Sequence, residues 1–162
     1  MAVNEKPPAI GANGAMLHHV SLPVRDVARS VGFYRDVLGL TPIPRPDFDF
    51  KGAWFALGTD QQLHLIQDEG STFRDGKGLE GRDIHFAIRV GSYRDALAHL
   101  AGRGYRKAGS PGAGEFQCMR VVPKATAGFP QIYLMDPDRN IIEINANRLD
   151  ADDEELSRLL DP

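Results

Sequence analysis

Three histidines and a glutamate recur at matching places in two weakly similar stretches of the chain. The first stretch reads His18-His19-Val20-Ser21-Leu22-Pro23-Val24-Arg25-Asp26, then a helical run ending Leu38-Gly39-Leu40. The second reads His85-Phe86-Ala87-Ile88-Arg89-Val90-Gly91-Ser92, then a helical run ending Arg103-Gly104-Tyr105. His19 lies 20 residues before Gly39, and His85 lies 19 before Gly104. Each stretch closes on an apolar segment carrying one metal-capable residue. These are His64 in Gln62-Leu63-His64-Leu65-Ile66 and Glu143 in Ile141-Ile142-Glu143-Ile144-Asn145. Imidazole and carboxylate ligands suit Zn, Ni, Mn, Fe or Co. The duplication therefore suggests one divalent transition metal held between two halves by His19, His64, His85 and Glu143. Four protein ligands on a six-coordinate ion leave about two positions for water or substrate. Such a site polarises a substrate oxygen and acidifies a neighbouring C–H or a bound water.

The elements that must carry these residues follow from periodicity. Over 16–24, Val20, Leu22 and Val24 alternate with His19, Ser21 and Pro23, which predicts a strand with His19 on the face opposite the aliphatics. Asp26 is a helix N-cap, and Val27, Val31, Tyr34 and Leu38 recur at helical spacing up to Gly39. The proline-rich stretch 41–46 reads as an extended edge or loop. Strands follow near 52–57 and 61–66, joined by a turn at Gly58-Thr59-Asp60. The first half thus reads βαβββ. After a polar, Gly-rich linker the order repeats. Phe86, Ile88 and Val90 share one strand face, while Ser92 and Asp95 resemble a capping box. Further extended segments lie near 115–122, 130–135 and 140–146, the last two joined by Asp136-Pro137-Asp138-Arg139-Asn140. The expected organisation is a flexible tail over 1–14, a first module over 15–67, a linker over 68–82, a second module over 83–147 and a C-terminal helical appendage over 148–162. The fold class is α+β.

Each candidate has a structural alternative. A lone strand histidine is commonly a hydrogen-bonded structural group, and a buried Glu143 needs a partner, for which Arg89 and Arg120 are the nearest cations in the pattern. His18 falls with the helix-facing residues and reads as structural or surface; His99 reads as a solvated helix position. Cys118 reads as a structural thiol. The aromatics Phe48, Phe50, Trp54 and Phe55 read mostly as core. Trp54 or Phe55, one strand from His64, could instead wall an apolar substrate pocket, as Gln131 and Tyr133 could from the second half.

Bulk properties narrow the partners. The 162 residues are 42% hydrophobic and 25% charged, with net charge −3. Nothing there favours nucleic acid or an anionic membrane. No apolar run approaches the roughly 20 residues of a membrane span. The single cysteine excludes an intrachain disulfide and fits a cytoplasmic location. No Gly-rich phosphate loop, Cys-x-x-Cys pair or Gly-x-Ser-x-Gly elbow is present.

The stretches around His18–Asp26, Phe33–Leu40, His85–Ile88 and Asp136–Glu143 resemble the vicinal oxygen chelate superfamily, which includes glyoxalase I, methylmalonyl-CoA epimerase, fosfomycin-resistance enzymes, bleomycin-resistance proteins and extradiol dioxygenases. The resemblance covers about 16–147. It implies paired βαβββ modules whose sheets form a metal-bearing cup, commonly in a homodimer, and it puts the family's ligand positions on His19, His64, His85 and Glu143. Two departures stand out. Glyoxalase I-like and epimerase-like members usually carry Glu or Gln where this chain has His64, leaving Glu143 the only carboxylate of the four and the candidate base. Arg139 stands where the family usually has Gly, at a turn whose backbone favours φ > 0. The implied activity is that of a metal-dependent, glyoxalase-like lyase or isomerase acting on a small oxygen-rich substrate through an enediolate. The alternatives are fosfomycin-type epoxide opening, extradiol dioxygenation, and metal-free, bleomycin-type binding of a small molecule.

Overall fold

Both helical runs begin where a polar side chain caps the first turn. In the computed structural model, which describes residues 14–70 and 73–160, Asp26 Oδ1 accepts from the Arg29 amide at 3.1 Å and Ser92 Oγ from the Asp95 amide at 3.0 Å. Each cap satisfies an amide that the helix itself leaves unpaired. Helix α1 spans Val27–Gly32 and runs on as a π-helical turn over Phe33–Val37. Helix α2 spans Tyr93–Gly102. Gly39 and Gly104, with φ of 71° and 87°, then let the chain reverse through the left-handed region.

Two sheets flank these helices. Strands β1 (His19–Val24), β2 (Pro42–Ile43), β3 (Gly52–Leu57) and β4 (Gln61–Gln67) form the first, in the order β1-β4-β3-β2. Strands β5 (His85–Val90), β6 (Arg106–Lys107), β7 (Cys118–Val122), β8 (Gln131–Met135) and β9 (Ile141–Ala146) form the second, in the order β5-β9-β8-β7-β6. In both, the first strand pairs in parallel with the last and the remaining long neighbours are antiparallel. The βαβββ reading is therefore recovered twice, with the two-residue β6 as an addition. β1 starts at His19 rather than at residue 16, and the expected tail falls almost wholly outside the described residues.

The aliphatic faces of both sheets meet the helices in one core. Val24, Phe55, Leu63 and Leu65 from the first half cluster with Leu97, Leu100, Ile132, Leu134 and Ile142 from the second. Helix α3 (Asp153–Leu160) adds the buried Leu156 to the same cluster, as expected of a packing appendage. Among the described residues no helix is long and apolar enough to cross a membrane.

A buried polar latch joins the halves through the Asp136–Asn140 turn. Tyr34 Oη donates to Asp136 Oδ2 at 2.8 Å. Asp138, with its side chain fully buried, accepts from the Arg25 amide, the Arg29 guanidinium at 2.8 Å and the Ser30 hydroxyl. Arg139 takes φ 68°, the left-handed conformation anticipated there. Its side chain is held against the protein. It donates to Lys77 O at 2.8 Å and to Glu115 Oε1, and is largely covered. The linker is likewise strapped down: Arg74 donates to Arg139 O and Asp83, and Leu79 packs on Tyr133, Met135 and Ile141.

Asp138→Ala removes three acceptor contacts and leaves Arg29 without its buried partner. Arg29 is half exposed, so water recovers part of the loss. The variant is expected to be about 2–3 kcal/mol less stable, read from urea unfolding.

Candidate metal centre

Strand register brings the four candidate ligands together as two equivalent pairs. His19 lies opposite Gln62 across the β1/β4 pairing, and His85 lies opposite Ile141 across β5/β9. In each case the second candidate stands two residues further along: His64 on β4 and Glu143 on β9. A step of two keeps a side chain on the same sheet face, so each pair shares the face turned away from the helices. The internal symmetry extends outward. Trp54 lies beside His64, and Tyr133 beside Glu143.

The second pair is arranged for coordination. His85 Nδ1 donates to the Asp83 carbonyl at 2.8 Å, which fixes the tautomer and leaves the Nε2 lone pair free. Nε2 lies 3.3 Å from Glu143 Oε2. Holding the far nitrogen of an imidazole on a carbonyl is the usual support of a metal-ligating histidine. Glu143 is only 4% exposed. Burial pushes its carboxyl up. The Asn145 hydrogen bond, with the nearby Tyr133 hydroxyl and Gln131 amide, outweighs burial and brings it below its ordinary value. The Tyr133 hydroxyl is pushed up to about 12, first by burial and then by its bond to Glu143, so it remains a donor. Glu143 is thus an ionised carboxylate at neutral pH with one oxygen facing His85. The expected alternative partners, Arg89 and Arg120, are engaged elsewhere, with Asn147 and Glu80 respectively.

The first pair is a stack. The His19 and His64 rings lie 4.4 Å apart and 15° from parallel, and Trp54 covers the other side of His64 at 4.0 Å and 7°. His64 Nε2 donates to Gln62 Oε1 at 2.8 Å, which leaves its lone pair on Nδ1. Burial, then the neighbouring His19 and His18, lower its tendency to protonate. His19 is exposed, with Nδ1 2.9 Å from His18 Nδ1. His18 therefore supports His19 directly rather than packing toward the helices. The donor set of the two pairs, three imidazoles and a carboxylate, fits a divalent transition metal. Yet among the described residues no three His, Cys, Asp or Glu side chains form a metal-holding group. One chain does not gather all four ligands into the single concavity expected.

The remaining candidates separate by strand parity. Trp54, Tyr133 and Gln131 share the ligand-bearing face. Phe55 does not: it is fully buried in the core against Tyr34, because neighbouring strand residues point to opposite sides. His99 is tied rather than free, with Nε2 donating to Val37 O at 2.8 Å. Cys118 Sγ donates to Glu115 O. Sequence reasoning missed Gln62 and Asn145, although both share parity with the ligand they contact. It also missed the linker at Gly81, where an added Cβ would come within 3.1 Å of the Tyr133 ring.

The edges bearing His19 and His85 bound a groove of about 820 Å³, lined among others by Leu17, Val20, Pro23, His85, Ala87 and Arg89. Against this geometry, the sequence profile of the glyoxalase/bleomycin resistance protein/dioxygenase superfamily matches residues 16–144. The chain belongs to that superfamily. A relative from Arabidopsis thaliana, glyoxylase I 4, is 30% identical over 132 residues, covering 79% of this chain and 68% of the relative. The fold is shared with a glyoxalase family protein from Bacillus anthracis, with TM-score 0.62, 20% identity, and 83% and 96% of the two chains covered. It is also shared with the fosfomycin resistance protein FosX from Listeria monocytogenes, with TM-score 0.56, 17% identity, and 87% and 97% covered.

Trp54 is the single tryptophan, so the stack has a built-in reporter. His64→Ala uncovers one indole face, and Trp54 emission is expected to shift to the red; an unchanged spectrum would rule out the stacked geometry in solution. The lowered Glu143 carboxyl gives a second expectation for metal-free protein. A depressed carboxylate contributes stability that is complete above its unfolded value, about 4.3, and is lost as pH falls through the folded value. Glu143→Gln should therefore be less stable than the parent chain at pH 7, with the difference shrinking below about pH 4.

Proposed function

We propose that this chain is a metal-dependent, glyoxalase-like lyase or isomerase for a small oxygen-rich substrate, working as a homodimer with shared metal centres. The observation that carries the reading is the His85–Glu143 pair, with the tautomer of His85 fixed by Asp83 O and the carboxylate held by the Asn145 amide. His19 and His64 of a second copy would complete the ligand set. Three features support a shared site. β1 and β5 each form one edge of their sheets, and unpaired edges favour association. The segments entering them carry the exposed Met16, Leu17 and Ile84, the last 87% exposed. The two edges are equivalent by internal duplication, so pairing β1 of each copy with β5 of the other closes a twofold dimer, with the edges meeting across the apolar groove.

A metal bound there supplies a Lewis acid for neighbouring substrate oxygens. The protein's own part is to orient and to exclude water. Glu143 serves as an anionic ligand. The donors that keep it ionised also reduce its basicity, so the ligand role is better supported than that of a proton acceptor. Trp54 and Tyr133, at equivalent places beside the ligands, would wall the substrate site, and Gln131 would help hold the carboxylate.

The test is complementation between dead chains. His19→Ala/His64→Ala and His85→Ala/Glu143→Ala each remove one half-site. Alone, neither variant is expected to bind metal. Mixed through unfolding and refolding, they form a heterodimer with one intact and one empty centre. Metal binding and any hemithioacetal isomerase activity should then return to a fraction of the parent value. No recovery in a verified heterodimer would overturn the shared centre.

A further inference from the structure

We propose that Asn145 is a positioning residue for the metal centre, setting which oxygen of Glu143 is presented to the ion. This rests on the reading of His85 and Glu143 as ligands. Asn145 follows Glu143 by two residues on β9, on the same face, and is 4% exposed. Its Nδ2 donates to Glu143 Oε1 at 2.6 Å. The other oxygen, Oε2, is the one that faces His85 Nε2 at 3.3 Å. Engagement of Oε1 by Asn145 thus orients the carboxylate with Oε2 toward His85, the side on which a shared ion would be met.

The orphaned end of the same amide argues that this orientation is imposed. Asn145 Oδ1 is buried without a hydrogen-bond partner. A buried unpaired carbonyl is unfavourable, and an amide free to choose would turn to avoid it. Turning would bring Oδ1 against the carboxylate of Glu143, replacing a charge-assisted bond with repulsion between acceptors. Glu143 Oε1 thus dictates the orientation, and the unpaired Oδ1 is its consequence. Neighbouring strands do not compete for the amide. Arg89, opposite Asn145 in register, donates instead to Asn147 Oδ1 at 2.6 Å.

The first half has no such device on a carboxylate. There Gln62 occupies the Nε2 side of His64, which leaves Nδ1 as the free donor. The two pairs thus use amide side chains in the same way, to select one donor atom of a bidentate-capable ligand. Supports of this kind around metal ligands alter affinity by about 10–100-fold when removed.

The experiment measures Co²⁺ affinity of the full chain by competition with a chelator, together with the visible absorption of bound Co²⁺. Asn145→Leu, which keeps the branched shape and removes the donor, is compared with the parent chain and with Asn147→Ala, which disturbs the same strand end without touching Glu143. Asn145→Leu is expected to lose about 10–100-fold in affinity and to change the Co²⁺ spectrum, while Asn147→Ala does neither. Asn145→Ala repeats the test should the leucine variant not fold. Parent-like affinity and spectrum in a folded Asn145 variant would overturn the inference alone. Failure of the parent chain to bind Co²⁺ would overturn the metal reading itself, and this inference with it.

Discussion

Parallel pairing of the first and last strands of each module is the constraint from which the rest of this site follows. It lays β1 against β4 and β5 against β9 in fixed register. The period of two then decides that the ligand-type residue of one strand stands beside that of the next, on the face away from the core. A slip of one residue would turn His64 or Glu143 into the apolar interior. The buried residues Leu63, Leu65, Ile142 and Ile144 therefore specify the chemistry as firmly as the ligands themselves. The same pairing leaves β1 and β5 each at one edge of its sheet, so the strands that carry His19 and His85 also present open backbone hydrogen bonds.

The two pairs solve different electrostatic problems. Glu143 is a nearly buried anion, and its surroundings supply three hydrogen-bond donors and an imidazole rather than an arginine. A guanidinium would neutralise the charge and compete with a metal; the Asn145 amide engages Oε1 and leaves Oε2 toward His85. His64, in contrast, is kept neutral by burial and packed between two rings. Imidazoles beside a supported carboxylate form a ligand set that suits a divalent transition metal. The latch at Asp136 and Asp138 sits on the opposite, helix-bearing side, where it holds the halves together without entering the ligand face.

Much of this was legible in the sequence because it rests on short periods. The duplicated βαβββ order and the caps at Asp26 and Ser92 follow from local spacing, while the left-handed turn at Arg139 was implied by the family resemblance. Parity also separates His19, His64, His85 and Glu143 from the core. Phe55 was misread because an aromatic next to a site residue on a strand points the other way. The spatial grouping of the ligands was less accessible. Nothing local tells whether two modules share a concavity within one chain or across two, since that depends on how the helical faces pack. Partners chosen by long-range contact, such as Arg139 with Lys77 and His99 with Val37 O, are hidden for the same reason.

Native mass spectrometry of the metal-loaded protein tests the shared-centre account most directly. The account predicts a dimer carrying two metal ions, with any dissociated chain carrying none. A single chain that retains one ion, or a dimer that takes up no transition metal under reducing conditions, would contradict it.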